Sequence, residues 1–90
     1  MVAEKELEKF REWLVANTKF NRAVVSNVLS RVTRANKILT ISKDDNLEFY
    51  LYMLSKEPGF LACSISVKSQ LRRAIKLFYD FKKSQGNMPQ

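Results

Sequence analysis

Histidine is missing from this 90-residue chain, and cysteine occurs once, at Cys63. The first absence removes the commonest general acid/base and the commonest metal ligand. The second rules out an intrachain disulfide and a cysteine-built zinc site, so Cys63 reads as a space-filler near a helix start. Only two glycines and two prolines are present. They lie in Glu57-Pro58-Gly59 or near the end of the chain, which predicts long uninterrupted helices. There is no Asn-Gly or Asp-Gly turn and no clean period-2 alternation, so β-hairpins are not expected. No apolar run is long enough to cross a bilayer, and the charged N-terminal stretch does not read as a signal peptide. A cytoplasmic location is expected. Gly-rich phosphate loops, nucleophile elbows and CxxC spacings are absent too. The pair Asp44-Asp45 is explained by its place at a helix start. Catalysis by this chain alone is therefore not expected, nor is a cofactor, a metal or a small-molecule substrate.

Acid is scarce as well, and unevenly spread. Sixteen Lys and Arg oppose nine Asp and Glu, a formal net charge of +7. Four of the acids, Glu4, Glu6, Glu8 and Glu12, crowd the first helical segment. From Trp13 to Lys43 there are none, while Lys19, Arg22, Arg31, Arg34, Lys37 and Lys43 accumulate. From Ser64 to Lys83 six bases face one acid, Asp80. Such concentrated positive charge describes a partner rather than a fold, and the partner it suits is a polyanion. Solvated helix faces with a basic bias are the plainer reading.

Periodicity organises what is present. A first helix is predicted over about residues 3–15, burying Leu7, Phe10 and Leu14 with Trp13 beside them. A second should begin near Asn21, a good N-cap residue, and run to about Leu39. Its apolar face is Val25, Val28, Leu29, Val32 and Leu39. Asn27, Ser30, Arg34 and Lys37 lie opposite, with Arg31 nearby. Ser42-Lys43-Asp44-Asp45 reads as the start of a third helix, about 44–55, with a Leu47, Tyr50, Leu51, Leu54 stripe. Phe49, Tyr52 and Met53 lie on its other side and are candidate partner contacts, within the domain, to a catalytic domain or to a neighbouring protomer. Residues 57–63 read as a loop. A last helix, capped by Ser64 or Ser66, should reach about Ser84 and stop at Gly86. It buries Val67, Leu71, Ala74, Ile75, Phe78 and Phe81. Arg72, Lys76 and Lys83 lie opposite, Arg73 at one edge and Lys68 at the other flank. The expected fold class is all-α, a compact four-helix bundle over residues 1–85 with a polar tail at 86–90.

That order of elements, with its ending Ser64-Ile65-Ser66-Val67-Lys68-Ser69-Gln70-Leu71-Arg72-Arg73-Ala74-Ile75-Lys76-Leu77-Phe78-Tyr79-Asp80-Phe81, resembles the SAM-like core-binding domain of tyrosine recombinases, the phage-integrase family. The small polar start, the basic run and the Phe-Tyr-x-Phe end carry the likeness. Phe10-Arg11-Glu12-Trp13-Leu14 and the Asn21, Arg22, Ser26 region add to it. Together they span roughly residues 5–84. Phe20-Asn21-Arg22-Ala23-Val24-Val25 departs from the Ser/Thr-rich start the family favours for its second helix. The resemblance implies a domain that grips double-stranded DNA during recombination. The catalytic arginines, His-x-x-Arg motif and tyrosine nucleophile of the family belong to a separate C-terminal domain. Tyr50, Tyr52 and Tyr79 are accordingly not nucleophiles.

The expected DNA contacts are Arg22, Arg31, Arg34, Lys37, Lys68, Arg72, Arg73 and Lys76 on phosphates. Asn27, Ser30, Ser66 and Ser69 are short hydrogen-bonding groups that would fix register. Arg side chains or Gln70 are candidates for a base edge. Two other readings stand beside this one. The chain is a helical protein–protein interaction module, or an accessory DNA-binding module of another DNA-acting enzyme such as a nuclease. A basic helix lying on an anionic membrane is disfavoured, because the aromatics of the last helix are needed in the core.

Overall fold

The computed structural model describes residues 4–41 and 46–85. Its elements are α1 (Glu4–Asn17), α2 (Arg22–Ile38), α3 (Leu47–Leu54), α4 (Pro58–Leu61) and α5 (Ile65–Gln85). Among the described residues there is no strand.

α2, α3 and α5 each start where side-chain chemistry offers a cap. Asn21 Oδ1 accepts the Val24 N–H at 2.9 Å and opens α2. Asn46 does the same for Phe49 at 2.7 Å and opens α3. Ser64 Oγ accepts the Val67 N–H at 3.2 Å at the head of α5, so of the two serines expected there Ser64 is the cap. These bonds satisfy N–H groups that a helix start leaves without an intrahelical partner. The predicted start of α3 near Asp44 is corrected to Leu47, because Asn46 supplies the cap. Ser42-Lys43-Asp44-Asp45 lie outside the described residues, as do Gly86 and the 86–90 tail.

The larger correction is α4. The segment read as a loop contains one helical turn, so among the described residues five helices stand where four were expected. Pro58 opens it at a position where the missing N–H costs nothing and the fixed φ already suits a helix. The turn plants Phe60 in the core at 2% exposure. Gly59 allows the close approach, since a Cβ there would stand 3.4 Å from Ile38 Cγ1.

α2 and α5 form the most extensive helix pair, and α1 packs across both. α3 lies on α5 and α4 on α2. Val25, Val28, Val32 and Ala35 of α2 are buried with Leu71, Ala74, Ile75 and Phe78 of α5. Phe10 binds α1 to the end of α5, meeting Phe78 edge-on at 5.1 Å and Phe81 at 5.3 Å between ring centroids. Trp13 stands 6.1 Å from Phe81. These offset and edge arrangements are those aromatic quadrupoles favour. Tyr79, outside the apolar stripe read from the sequence, is buried beside Tyr50 at 6.1 Å.

Tyr50 links α3 to the end of α2. Its hydroxyl donates to the Leu39 carbonyl at 2.6 Å and lies 3.2 Å from that of Ala35. Beside it Asn36 Oδ1 accepts the Ile41 N–H at 2.9 Å. Carbonyls left over at a helix C-terminus thus find a partner within the core. The domain is flattened, 33 × 32 × 19 Å, with a radius of gyration of 12.8 Å. No helix among the described residues is long and apolar enough to cross a membrane.

Candidate nucleic-acid interface

Three clefts run end to end around α2. The first, about 370 Å³, lies on its α1 side and is lined by Arg11, Ser26, Leu29, Ser30, Thr33, Arg34 and Lys37. The second, about 480 Å³, lies at its start and is lined by Arg11, Val15, Phe20, Arg22 and Val25. The third, about 120 Å³, is the seam between α2 and α5, where Phe20, Val24, Val28 and Arg31 meet Gln70, Arg73, Ala74 and Leu77. Arg11 is shared by the first two and Phe20 by the last two. Not one lining residue of the three is acidic.

The seam follows from the helix pairing. α2 and α5 bury their valine, leucine and alanine stripes against each other, so the residues bordering those stripes face across a groove. Arg31 is half-buried for that reason, and Arg73 on α5 lines the same groove. Further cations gather beside α4. Lys68 Nζ lies 5.9 Å from the Phe60 ring centroid and the Arg72 guanidinium 5.7 Å from it. At these distances the ring's negative face attracts both charges, and the stem of Lys68 is half-buried as a result. Arg34 reaches the same neighbourhood from α2, donating from Nη2 to Cys63 Sγ at 3.6 Å. Cys63 Sγ in turn donates to the Gly59 carbonyl at 3.4 Å. α4 is thus the piece that brings Arg34, Lys68 and Arg72 to a common ledge.

Of the twelve residues expected to contact DNA, Arg22, Ser30, Arg31, Arg34, Lys37 and Arg73 line the clefts, while Lys68 and Arg72 lie on the ledge. Asn27 is exposed on α2, and Ser66, Ser69 and Lys76 are exposed on α5, but none of these four lines a cleft. No carboxylate among the described residues neutralises any of the eight cations. Two residues were missed. Arg11 sits on a helix whose neighbours Glu8 and Glu12 disguise it, and only the packing of α1 on α2 delivers it to the clefts. Phe20 lies in a connection, where periodicity assigns no face. Its position among Arg22 and the acid-free stretch was the available signal.

The region between α3 and the end of α5 is different in kind. Another cleft, about 620 Å³, is lined by Asn46, Leu47, Glu48, Tyr79, Asp80, Lys82 and Lys83, and mixes both charge signs. On α3, Phe49 and Tyr52 are exposed at 49% and 56%, and Met53 is half-buried. The two aromatics therefore do not pack within the described domain. Lys56 Nζ covers the Tyr52 ring at 4.4 Å.

Comparison of the chain with protein families, with curated proteins and with solved structures finds no match.

Proposed function

We propose that this chain is a DNA-binding domain of the SAM-like, core-binding kind seen in tyrosine recombinases, with α1, α2, α3 and α5 as its four principal helices. It grips the duplex through α2 and α5 and carries no catalytic residue of its own. The observation that carries this reading is the continuous set of clefts around α2, supplied with Arg11, Arg22, Arg31, Arg34, Lys37 and Arg73 and free of acid. Phosphates attract such a surface from any direction. Each one neutralised releases counterions, which makes affinity fall with salt. Arginine forks bind phosphate oxygens in pairs. Ser30 and Asn27 are short enough to fix register on the backbone without reading sequence. A single module of this size is expected to bind at roughly micromolar Kd with modest sequence discrimination.

The test is a titration of a short duplex by fluorescence anisotropy with wild type and with the double charge reversal Arg31→Glu, Arg73→Glu. These residues sit on different helices and meet at one seam. A loss of about a hundredfold is expected, since two phosphate contacts become two repulsions. Unchanged affinity removes the seam from the interface.

A second reading has one observation in its favour. The exposed Phe49 and Tyr52 on α3 suit a contact with a catalytic domain, a neighbouring protomer or another protein, as in an interaction module or an accessory module of a nuclease. Sedimentation of wild type against Phe49→Ser, Tyr52→Ser separates self-association from a monomer.

A further inference from the structure

Arginine and lysine are not used interchangeably on this surface. The chain has six arginines and ten lysines. Four of the six arginines line the two clefts that share Phe20, and no lysine lines either. Arginine is the residue that both pairs with phosphate and stacks on planar groups, while lysine is a hydrated point charge. At the centre stands an aromatic ring that remains 38% exposed.

The backbone of Phe20 is held in place. Thr18 donates its hydroxyl to the Leu14 carbonyl at 2.6 Å, and the same oxygen accepts the Phe20 N–H at 3.2 Å. One residue later Asn21 begins α2. The ring is thus presented by two fixed helix ends. The seam beside it is about 120 Å³, well below the ~300 Å³ of an ordinary small-molecule site. Its floor is apolar, with Val24, Val28, Ala74 and Leu77, and its polar lining groups are Arg31, Arg73 and Gln70. An apolar slot next to an aromatic ring suits one flat ring system. Gln70 offers a donor and an acceptor for its edge. The arginines suit the phosphates on either side.

We propose that the Phe20 site takes an unpaired nucleotide of DNA, its base stacked on Phe20 and its flanking phosphates held by Arg11, Arg22, Arg31 and Arg73. This rests on the DNA-binding reading and narrows its substrate to DNA with an unpaired stretch. A fully paired duplex offers only its backbone to the clefts, because its bases are already stacked on one another. A gap offers a free π-face, which an aromatic side chain engages whatever the sequence.

The experiment compares two probes of identical sequence, an intact duplex and the same duplex with a gap of a few nucleotides in one strand, the template opposite carrying 2-aminopurine. Wild type is expected to bind the gapped probe about tenfold tighter than the intact one, in line with one stacked base, and to quench the 2-aminopurine. Phe20→Leu retains an apolar side chain against Val24 and Val28 and removes the ring. It should bring the ratio of the two affinities close to one and abolish the quench, whereas Phe20→Trp should keep both. Helical circular dichroism checks that each variant is folded. Equal affinity of wild type for the two probes overturns the proposal and leaves duplex binding standing, as does a gap preference that survives Phe20→Leu. Binding of neither probe at low salt overturns the DNA-binding reading and this proposal together.

Discussion

The surface around α2 and the surface between α3 and the end of α5 both carry cations beside aromatic rings, yet they differ in what the cations have for company. Around α2 the cleft linings join the arginines to apolar floors and serine hydroxyls, and include no acid. Near α3, Lys82 and Lys83 share a cleft with Glu48 and Asp80. Lys82 also leans on the Phe78 and Tyr79 rings, at 5.7 and 5.6 Å. The second cleft is the larger of the two regions' openings, but mixed signs cancel its field at the distance of a phosphate backbone. Density of one sign, rather than cleft size or cation number, makes an anion-binding surface.

If that contrast is the cause, importing acid into the first region should abolish its distinction. Asn27→Glu with Ser30→Glu places two carboxylates on the exposed side of α2, touching no core residue. Duplex affinity should fall by about a hundredfold in an anisotropy titration while the melting temperature holds, since each charge opposes neighbouring phosphate contacts. The next effect lies in the join between the regions. Tyr50→Phe removes the hydroxyl that satisfies the Leu39 carbonyl at the end of α2. Chemical denaturation should show a loss of about 1–2 kcal/mol, with DNA affinity unaltered if the two surfaces act separately. Asn21→Ala should cost about 1 kcal/mol by uncapping α2. Because Asn21 adjoins Phe20 and Arg22, this variant should also weaken binding, unlike Tyr50→Phe. The smallest change comes from the other direction. Glu48→Gln with Asp80→Asn strips the second region of acid, and a gain of about twofold is expected from the more positive field alone, disappearing at high salt.

The contrast was partly visible in the sequence. The acid-free run from Trp13 to Lys43 marks α2 as the basic helix, and the 3.6-residue period gives its buried face as Val25, Val28, Leu29 and Val32. Long periodic helices are legible because their burial repeats. α4 was not legible, since four residues hold barely one turn and Pro58-Gly59 reads equally well as a loop. Missing α4 meant missing Phe60, and with it the ledge that gathers Lys68 and Arg72. Arg11 and Phe20 were hidden for a related reason. Their roles come from α1 lying across α2 and α5, a long-range packing that no local pattern encodes. On α3 the sequence pattern puts Phe49, Tyr52 and Met53 on the side away from the core stripe; Phe49 and Tyr52 stand exposed there, while Met53 is half-buried.

The most direct test of the central claim is the salt dependence of duplex binding by wild type and by the quadruple variant Arg11→Ala, Arg31→Ala, Arg34→Ala, Arg73→Ala. With about five phosphates engaged, log K should fall against log salt with a slope near −4 to −5. Each arginine removed should make the slope shallower by about one unit. A wild-type slope near zero, or an identical slope for the quadruple variant, would contradict the assignment of the acid-free clefts around α2 as the surface that holds DNA.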